Sequence, residues 1–63
     1  SHPYVAISYN NIGSVYKGLG EYAKALEYHE KGLSIYLAVY DDESHPDVVW
    51  LKETIENLKA QAL

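Results

Sequence analysis

The fold is decided by residues 9–32, which read YNNIGSVYKGLGEYAKALEYHEKG. Gly13, Ala25 and Gly32 are small residues that recur there inside segments with helical spacing. A glycine in the middle of a helix costs roughly 0.5–1 kcal/mol relative to alanine, so its presence needs a compensating reason. Close approach of a second helix supplies that reason, because a glycine has no Cβ to keep a neighbouring side chain away. The stretch therefore predicts two helices in contact.

The connection between these two helices is short. Gly18 and Gly20 surround a single leucine, and glycines allow the left-handed conformation that closes a helix and reverses the chain. Helices joined by so few residues pack as antiparallel neighbours. We predict helix A over about residues 3–17 and helix B over about residues 22–39, paired as a hairpin.

The beginning of the chain recurs after helix B. Residues 1–5 read SHPYV and residues 44–48 read SHPDV, 43 positions later. Repetition at a period between about 20 and 50 residues is typical of arrays of stacked helical units. At this offset the apolar positions persist in the second copy, whereas tyrosine, asparagine and glycine positions become Lys or Glu. A terminal helix has this pattern because it covers the preceding pair and presents a polar side to water.

These patterns predict an all-α fold in which residues 1–63 form a single unit. An antiparallel helical hairpin is followed by an acidic loop over residues 40–45 and by a third, capping helix C over about residues 46–60. The loop reads YDDESH and lacks the glycine and the distal glutamate of a calcium-binding loop. We interpret it as a solvated connection.

Length and composition argue against several classes of function. A chain of 63 residues buries only about 60% of its unfolded surface, and without cysteine it has neither disulfides nor thiolate metal ligands. The net charge of −4 and five scattered basic residues argue against nucleic acid as a partner. No apolar run approaches the ~20 residues of a membrane span, and the N-terminus does not resemble a signal peptide. We expect a soluble, cytoplasmic fragment of a longer array.

The spacing of the aromatic and small residues carries a family resemblance. The positions concerned are Tyr9, Ile12, Gly13, Tyr16, Gly20, Tyr22, Ala25, His29 and Gly32. In these positions the chain resembles the tetratricopeptide repeat, and its recurring His-Pro makes it similar to the longer variety of about 42 residues found in kinesin light chains. The resemblance covers residues 1 to about 50 and implies one repeat followed by a capping helix. His29 replaces the usual Tyr or Phe of the family, and Gly32 replaces the usual Ala.

The histidines do not form a candidate catalytic or metal-binding set. His2 and His45 each stand alone in one copy of the His-Pro dipeptide, so neither gives a closed set of ligands. The resemblance implies that both have a structural role at helix entries, and His29 is expected to pack in the core. No nucleophile with a paired base and no phosphate-binding loop is visible. We therefore predict no enzymatic activity, no metal and no cofactor.

Asn10 and Asn11 carry the strongest functional signal, because neither asparagine favours a helix interior. In similar repeats the inner helices line a concave groove, and an asparagine of the matching motif holds the backbone of an extended peptide. The resemblance therefore implies a protein-interaction scaffold, with Asn11 as the first choice among its contacts. The implied peptide-binding residues are Ile7, Asn10, Asn11, Ser14 and Lys17. The alternative for the asparagines is a hydrogen bond between neighbouring helices.

A second hypothesis is self-association through helix A, which has no preceding repeat to pack on. An exposed apolar patch of this kind invites a partner. The residues concerned are Tyr4, Ile7, Ile12 and Val15. Two copies could stack as consecutive repeats, or they could exchange the terminal helix through residues 40–45. We expect a homo-oligomer, in the first place a dimer, and partners that are proteins or peptides rather than nucleic acid or membrane.

Overall fold

The computed structural model describes residues 3–62, and its regular structure in this range consists of helices alone. The helices are α1 (Pro3–Gly18), α2 (Tyr22–Tyr40) and α3 (Pro46–Ala62). α1 packs along α2, and α3 packs along α2 as well. Among the described residues, no Cα of α3 comes within 8 Å of a Cα of α1. The predicted all-α fold, a helical hairpin followed by a third helix, is confirmed. His2, which we expected at a helix entry, lies outside the described residues.

The turn between α1 and α2 is closed by backbone hydrogen bonds that require a left-handed residue. Gly20 has a φ of 80°, a value at which a side chain would be strained. Its N–H donates to the carbonyl of Lys17 at 3.0 Å, and the N–H of Glu21 donates to the carbonyl of Tyr16 at 2.9 Å. This pair of bonds is the Schellman arrangement, which satisfies the last carbonyls of a helix while the chain reverses.

The loop between α2 and α3 is organised by its acidic side chains. Asp41 adopts the left-handed conformation with a φ of 48°, and its N–H donates to the carbonyl of Leu37. Asp tolerates this conformation better than most residues with a Cβ. The carboxylate of Asp42 then accepts hydrogen bonds from the N–H and the hydroxyl of Ser44, at 2.9 and 2.7 Å. The hydrogen bond from the Ser44 hydroxyl is the main reason that the pKa of Asp42 lies below its ordinary value.

His45 caps the first turn of α3. Its Nδ1 accepts a hydrogen bond from the backbone N–H of Asp47 at 3.1 Å, which satisfies one of the donors left unpaired at a helix start. The His45 ring also stacks on Tyr40, with ring centroids 3.8 Å apart, and Tyr40 stacks in turn on Tyr36 at 5.5 Å. This column of rings joins the end of α2 to the beginning of α3.

The core lies between α2 and one face of α3. The buried residues of α3 recur at helical spacing and are Val48, Leu51, Ile55 and Leu58. Ala6 of α1 and Tyr36 of α2 form one cluster with the first three of these residues. Burying an aliphatic side chain of this size contributes about 1.5–3 kcal/mol, so this face holds α3 in place. Leu33 and Leu37 of α2 are half-buried and pack against this cluster.

The hairpin is held by two reciprocal close approaches. An ideal Cβ on Gly13 of α1 would lie 2.8 Å from the imidazole of His29. An ideal Cβ on Gly32 of α2 would lie 2.5 Å from the side-chain oxygen of Asn10. Each helix therefore uses a glycine to receive a polar side chain of the other. Ile12 lies on another side of α1 and is 40% exposed.

Candidate functional site

A stripe of exposed side chains runs along the outward side of α1. Its residues, spaced four, three and three positions apart, are Ile7, Asn11, Ser14 and Lys17. This spacing places them on one side of a helix. The stripe begins with an apolar group, continues with an amide and a hydroxyl, and ends with an ammonium group in the last turn of α1. We call these four residues the outward stripe.

Asn10 is separated from the outward stripe. It is buried, and its side-chain oxygen accepts a hydrogen bond from Nδ1–H of His29 at 3.3 Å. Asn10 thus makes a hydrogen bond between neighbouring helices, the alternative that the sequence left open, while Asn11 remains exposed. The two adjacent asparagines of α1 therefore differ, since Asn10 is buried between helices and Asn11 is exposed to solvent.

His29 lies where all three helices meet. Its side chain is 1% exposed, its ring faces Gly13 of α1, and the ring lies at 78° to that of Trp50 of α3, with 6.2 Å between centroids. Burial, and then the ammonium group of Lys17, lowers the pKa of the imidazole below its ordinary value. The second ring nitrogen, Nε2, is buried and has no hydrogen-bond partner among the described residues. The sequence placed this histidine in the core but did not indicate that one nitrogen would be left unpaired.

An aromatic cluster covers the flank of the hairpin. Tyr28 of α2 stacks on Tyr16 of α1 at 5.6 Å and contacts Tyr9 at 6.1 Å. The ammonium group of Lys31 lies over the rings of Tyr9 and Tyr28, and that of Lys24 lies over Tyr16. These contacts combine ring packing with cation–π attraction. The tyrosines of the two helices therefore reinforce the hairpin while remaining half-exposed.

The remaining side of α1 is apolar and exposed. Val15 is 62% exposed, and Val5 and Tyr4 are exposed as well. The four residues expected to self-associate all lie at the surface of the chain; they are Tyr4, Ile7, Ile12 and Val15. We call Val5, Ile12 and Val15 the open face of α1. Exposed apolar groups that share one side of a helix are typical of surfaces that receive a partner.

The internal repeat gives the open face of α1 a counterpart. At the offset of 43 positions, Val5, Ile12 and Val15 correspond to Val48, Ile55 and Leu58 of α3. Those α3 residues are buried on α2. The open face of α1 is thus the equivalent of a face that α3 buries against a helix.

A match to a protein family accounts for this arrangement. The family model described as tetratricopeptide repeat matches residues 5–47. The chain belongs to the tetratricopeptide repeat family. The matched residues contain nearly all of the hairpin and end as α3 begins. No curated protein and no solved structure matches the chain.

Tetratricopeptide repeats generally mediate interactions between proteins. In this repeat the polar pair of Asn10 and His29 occupies the interface between the two helices, and Gly32 makes room for the asparagine. The open face and the outward stripe of α1 are both exposed in this repeat. The kinesin light chain-like variety is consistent with the matched family model.

Trp50 lies at the surface, although it was not among the residues predicted to form a binding site. Its side chain is 52% exposed on α3 although it is the largest apolar group of the chain. A signal was present, because the offset of 43 places Trp50 on Ile7, a residue of the outward stripe. Aromatic groups that remain exposed beside a stripe of this kind are frequent anchors in interfaces.

Other kinds of site receive no support from the described part of the chain. Among residues 3–62, no group of three His, Cys, Asp or Glu side chains is arranged to hold a metal ion. None of the helices in that range is both long enough and apolar enough to cross a bilayer. The acidic side chains of the loop point into solvent, where Glu43 pairs with Lys52.

Proposed function

We propose that the chain is a non-catalytic interaction module that holds an extended peptide segment of a partner protein on the outward stripe of α1. The observation that supports this proposal is the stripe itself, which presents Ile7, Asn11 and Ser14 side by side and exposed. An isolated polar residue on a helix is usually only solvated. A continuous row of apolar, amide and hydroxyl groups gives a peptide several contacts at once.

The chemistry of the stripe suits a peptide backbone. The amide of Asn11 carries both a donor and an acceptor, so it can pair with the N–H and the carbonyl of one extended residue. Ile7 offers an apolar contact at one end of the stripe, and Lys17 attracts a negative group at the other. Because Asn10 is occupied by His29, it contributes to this surface only by holding α1 in position.

The experiment is a selection of peptides against the full chain, followed by calorimetric measurement of affinity. We expect Asn11→Leu to weaken a selected peptide about tenfold, the equivalent of about 1.4 kcal/mol, with an unchanged thermal unfolding midpoint. Glu30→Leu, a change of the same kind at an exposed position of α2, is the matched control and should leave affinity unaltered. Equal affinities for the protein and for Asn11→Leu would count against this surface.

Self-association is a second candidate, and the relation between α1 and α3 favours it. Because the open face of α1 corresponds to the buried face of α3, α1 of one copy can pack on α2 of another. That packing requires α3 of the second copy to move aside, and it leaves an open face at the end of the stack. Such head-to-tail contacts grow into chains, whereas a reciprocal exchange of α3 through residues 40–45 closes at two copies.

Sedimentation at several concentrations distinguishes these forms of assembly. Exchange of α3 gives a closed dimer in which the open face of α1 stays exposed, so Val15→Glu should leave that dimer intact. Stacking gives a mass that increases with concentration, and Val15→Glu should reduce it to the monomer. A monomer at every concentration would refute self-association.

Two further expectations belong to the same proposal. We propose that residues 1–63 act as one unit, which predicts a single unfolding transition by circular dichroism and by Trp50 fluorescence.

We also propose a cytoplasmic location, which is compatible with a sequence that contains no cysteine. Fractionation of cells that express the parent protein tests the second expectation.

A further inference from the structure

The most unusual polar group of the molecule is the imidazole of His29. Its Nδ1–H donates to the side-chain oxygen of Asn10 at 3.3 Å. An amide oxygen can only accept, so Nδ1 carries the proton and the neutral ring leaves Nε2 as a bare acceptor. That Nε2 is buried without a hydrogen-bond partner among the described residues. The site therefore accommodates a neutral ring and offers nothing to a second N–H.

Within residues 3–62, no carboxylate balances a positive charge on the His29 ring. From α1, the ring faces the backbone of Gly13 and the uncharged Asn10, and the ammonium group of Lys17 acts on it from the same helix. From α3 the neighbour is the uncharged Trp50. On α2 itself, the phenol of Tyr36 is uncharged at neutral pH, because burial raises its pKa above the ordinary value of 10.0. No carboxylate is among the groups that act on the imidazole.

We propose that His29 is a proton-sensitive switch whose protonation loosens the packing of α1 and of α3 on α2. A proton on Nε2 would place a charged donor in a closed apolar site, against Gly13 on one side and Trp50 on the other. Such a group is stabilised only when the helices separate enough to admit water or another acceptor. The proposal depends on the packing of the three helices and is independent of the function proposed above.

The direction of the pH effect follows from the two protonation states. In the unfolded chain the imidazole binds its proton around its ordinary value of 6.5, whereas in the folded chain burial lowers its pKa. Between these two values the unfolded state binds more protons, so the free energy of unfolding falls as the pH is lowered. Above 6.5 the ring is neutral in both states and this contribution to stability is complete.

The experiment measures unfolding of the full chain in urea between about pH 5 and 7.5, a window that lies above the ordinary pKa of Asp and Glu. The unfolding equilibrium constant should rise by up to about tenfold per pH unit below 6.5. His29→Gln keeps a donor for Asn10 without an ionisable ring, and His29→Phe keeps a ring; both should abolish this rise. His45→Asn, which retains an acceptor for the first turn of α3, is the matched control and should preserve it.

A titration by nuclear magnetic resonance reads the same group directly in the unmodified protein. The His29 ring should remain neutral, with its proton on Nδ1, at pH values where an exposed histidine is already charged. A His29 ring that titrates at 6.5 or above in the folded chain would overturn the proposal. So would a pH dependence of unfolding that persists unchanged in a folded His29→Gln or His29→Phe variant.

Discussion

α1 and α3 are two copies of one helical pattern in different surroundings. Ile55 of α3 is 5% exposed, whereas Ile12, its counterpart in α1, is 40% exposed. The opposite holds for a neighbouring face, where Gly13 of α1 is buried and its counterpart Glu56 is exposed. Each helix thus buries the side on which it has a neighbour. In both cases that neighbour is α2, which follows α1 and precedes α3 in the chain.

The two helices also differ in composition. α3 has Lys or Glu at the positions that correspond to the side of α1 packed on α2. The open face of α1, by contrast, retains valine and isoleucine. The exposed apolar groups of α1 support the proposal that this helix carries the interactions of the chain.

The largest expected difference between α1 and α3 comes from the same substitution at equivalent positions of the two helices. Ile55→Ala should reduce the free energy of unfolding by about 2–5 kcal/mol, because it opens a cavity in the core. Ile12→Ala should cost well under half of that, because the side chain has solvent around it. Urea denaturation at low protein concentration measures both. Equal losses would show that α1 is covered in the isolated chain.

A second pair tests the other face of the two helices. Gly13→Ala places a methyl group against the His29 ring and should destabilise the fold by about 1–3 kcal/mol, despite the higher helix propensity of alanine. Glu56→Ala, at the equivalent position of α3, should change stability by no more than about 0.5 kcal/mol. If Gly13→Ala were neutral, the close approach of His29 would not be a constraint on the hairpin.

The smallest expected difference in stability is that between substitutions of Tyr16 in α1 and of its counterpart Lys59 in α3. Tyr16 of α1 stacks on Tyr28, whereas its counterpart Lys59 forms an exposed ion pair with Glu56 at 3.6 Å. Tyr16→Ala should cost about 1–2 kcal/mol, since it removes a stacked ring together with its buried area. Lys59→Ala should cost less than about 0.5 kcal/mol, as exposed ion pairs do. Thermal unfolding of the two variants side by side would detect a reversal of this order.

The elements of the fold could be predicted from the sequence because each has a local cause. Gly20 supplies the one conformation that closes α1, and the recurring His-Pro marks the beginning of α3. The polar side of α3 could be predicted as well, since the offset of 43 compares it with α1 position by position. These conclusions depend on spacing alone.

The candidate site could be predicted only in part. Asn10 lies on the same side of α1 as the buried Ala6 and Gly13, at steps of four and three residues, so helical spacing already separates it from Asn11. The sequence contains no sign, however, of the unpaired Nε2 of His29, which results from contacts of three helices. Trp50 was missed because α3 was regarded as a cap rather than as a second copy of the outward stripe.

The most direct test of the central claim uses the absence of cysteine from the chain. Ile12→Cys and Ile55→Cys each introduce a single thiol at equivalent positions of α1 and α3, and the rate of thiol labelling under native conditions reports their exposure. We predict that the thiol on α1 reacts at nearly the rate of the unfolded chain, whereas the thiol on α3 is protected until the protein unfolds. Equal protection at both positions in dilute solution would contradict an open face on α1.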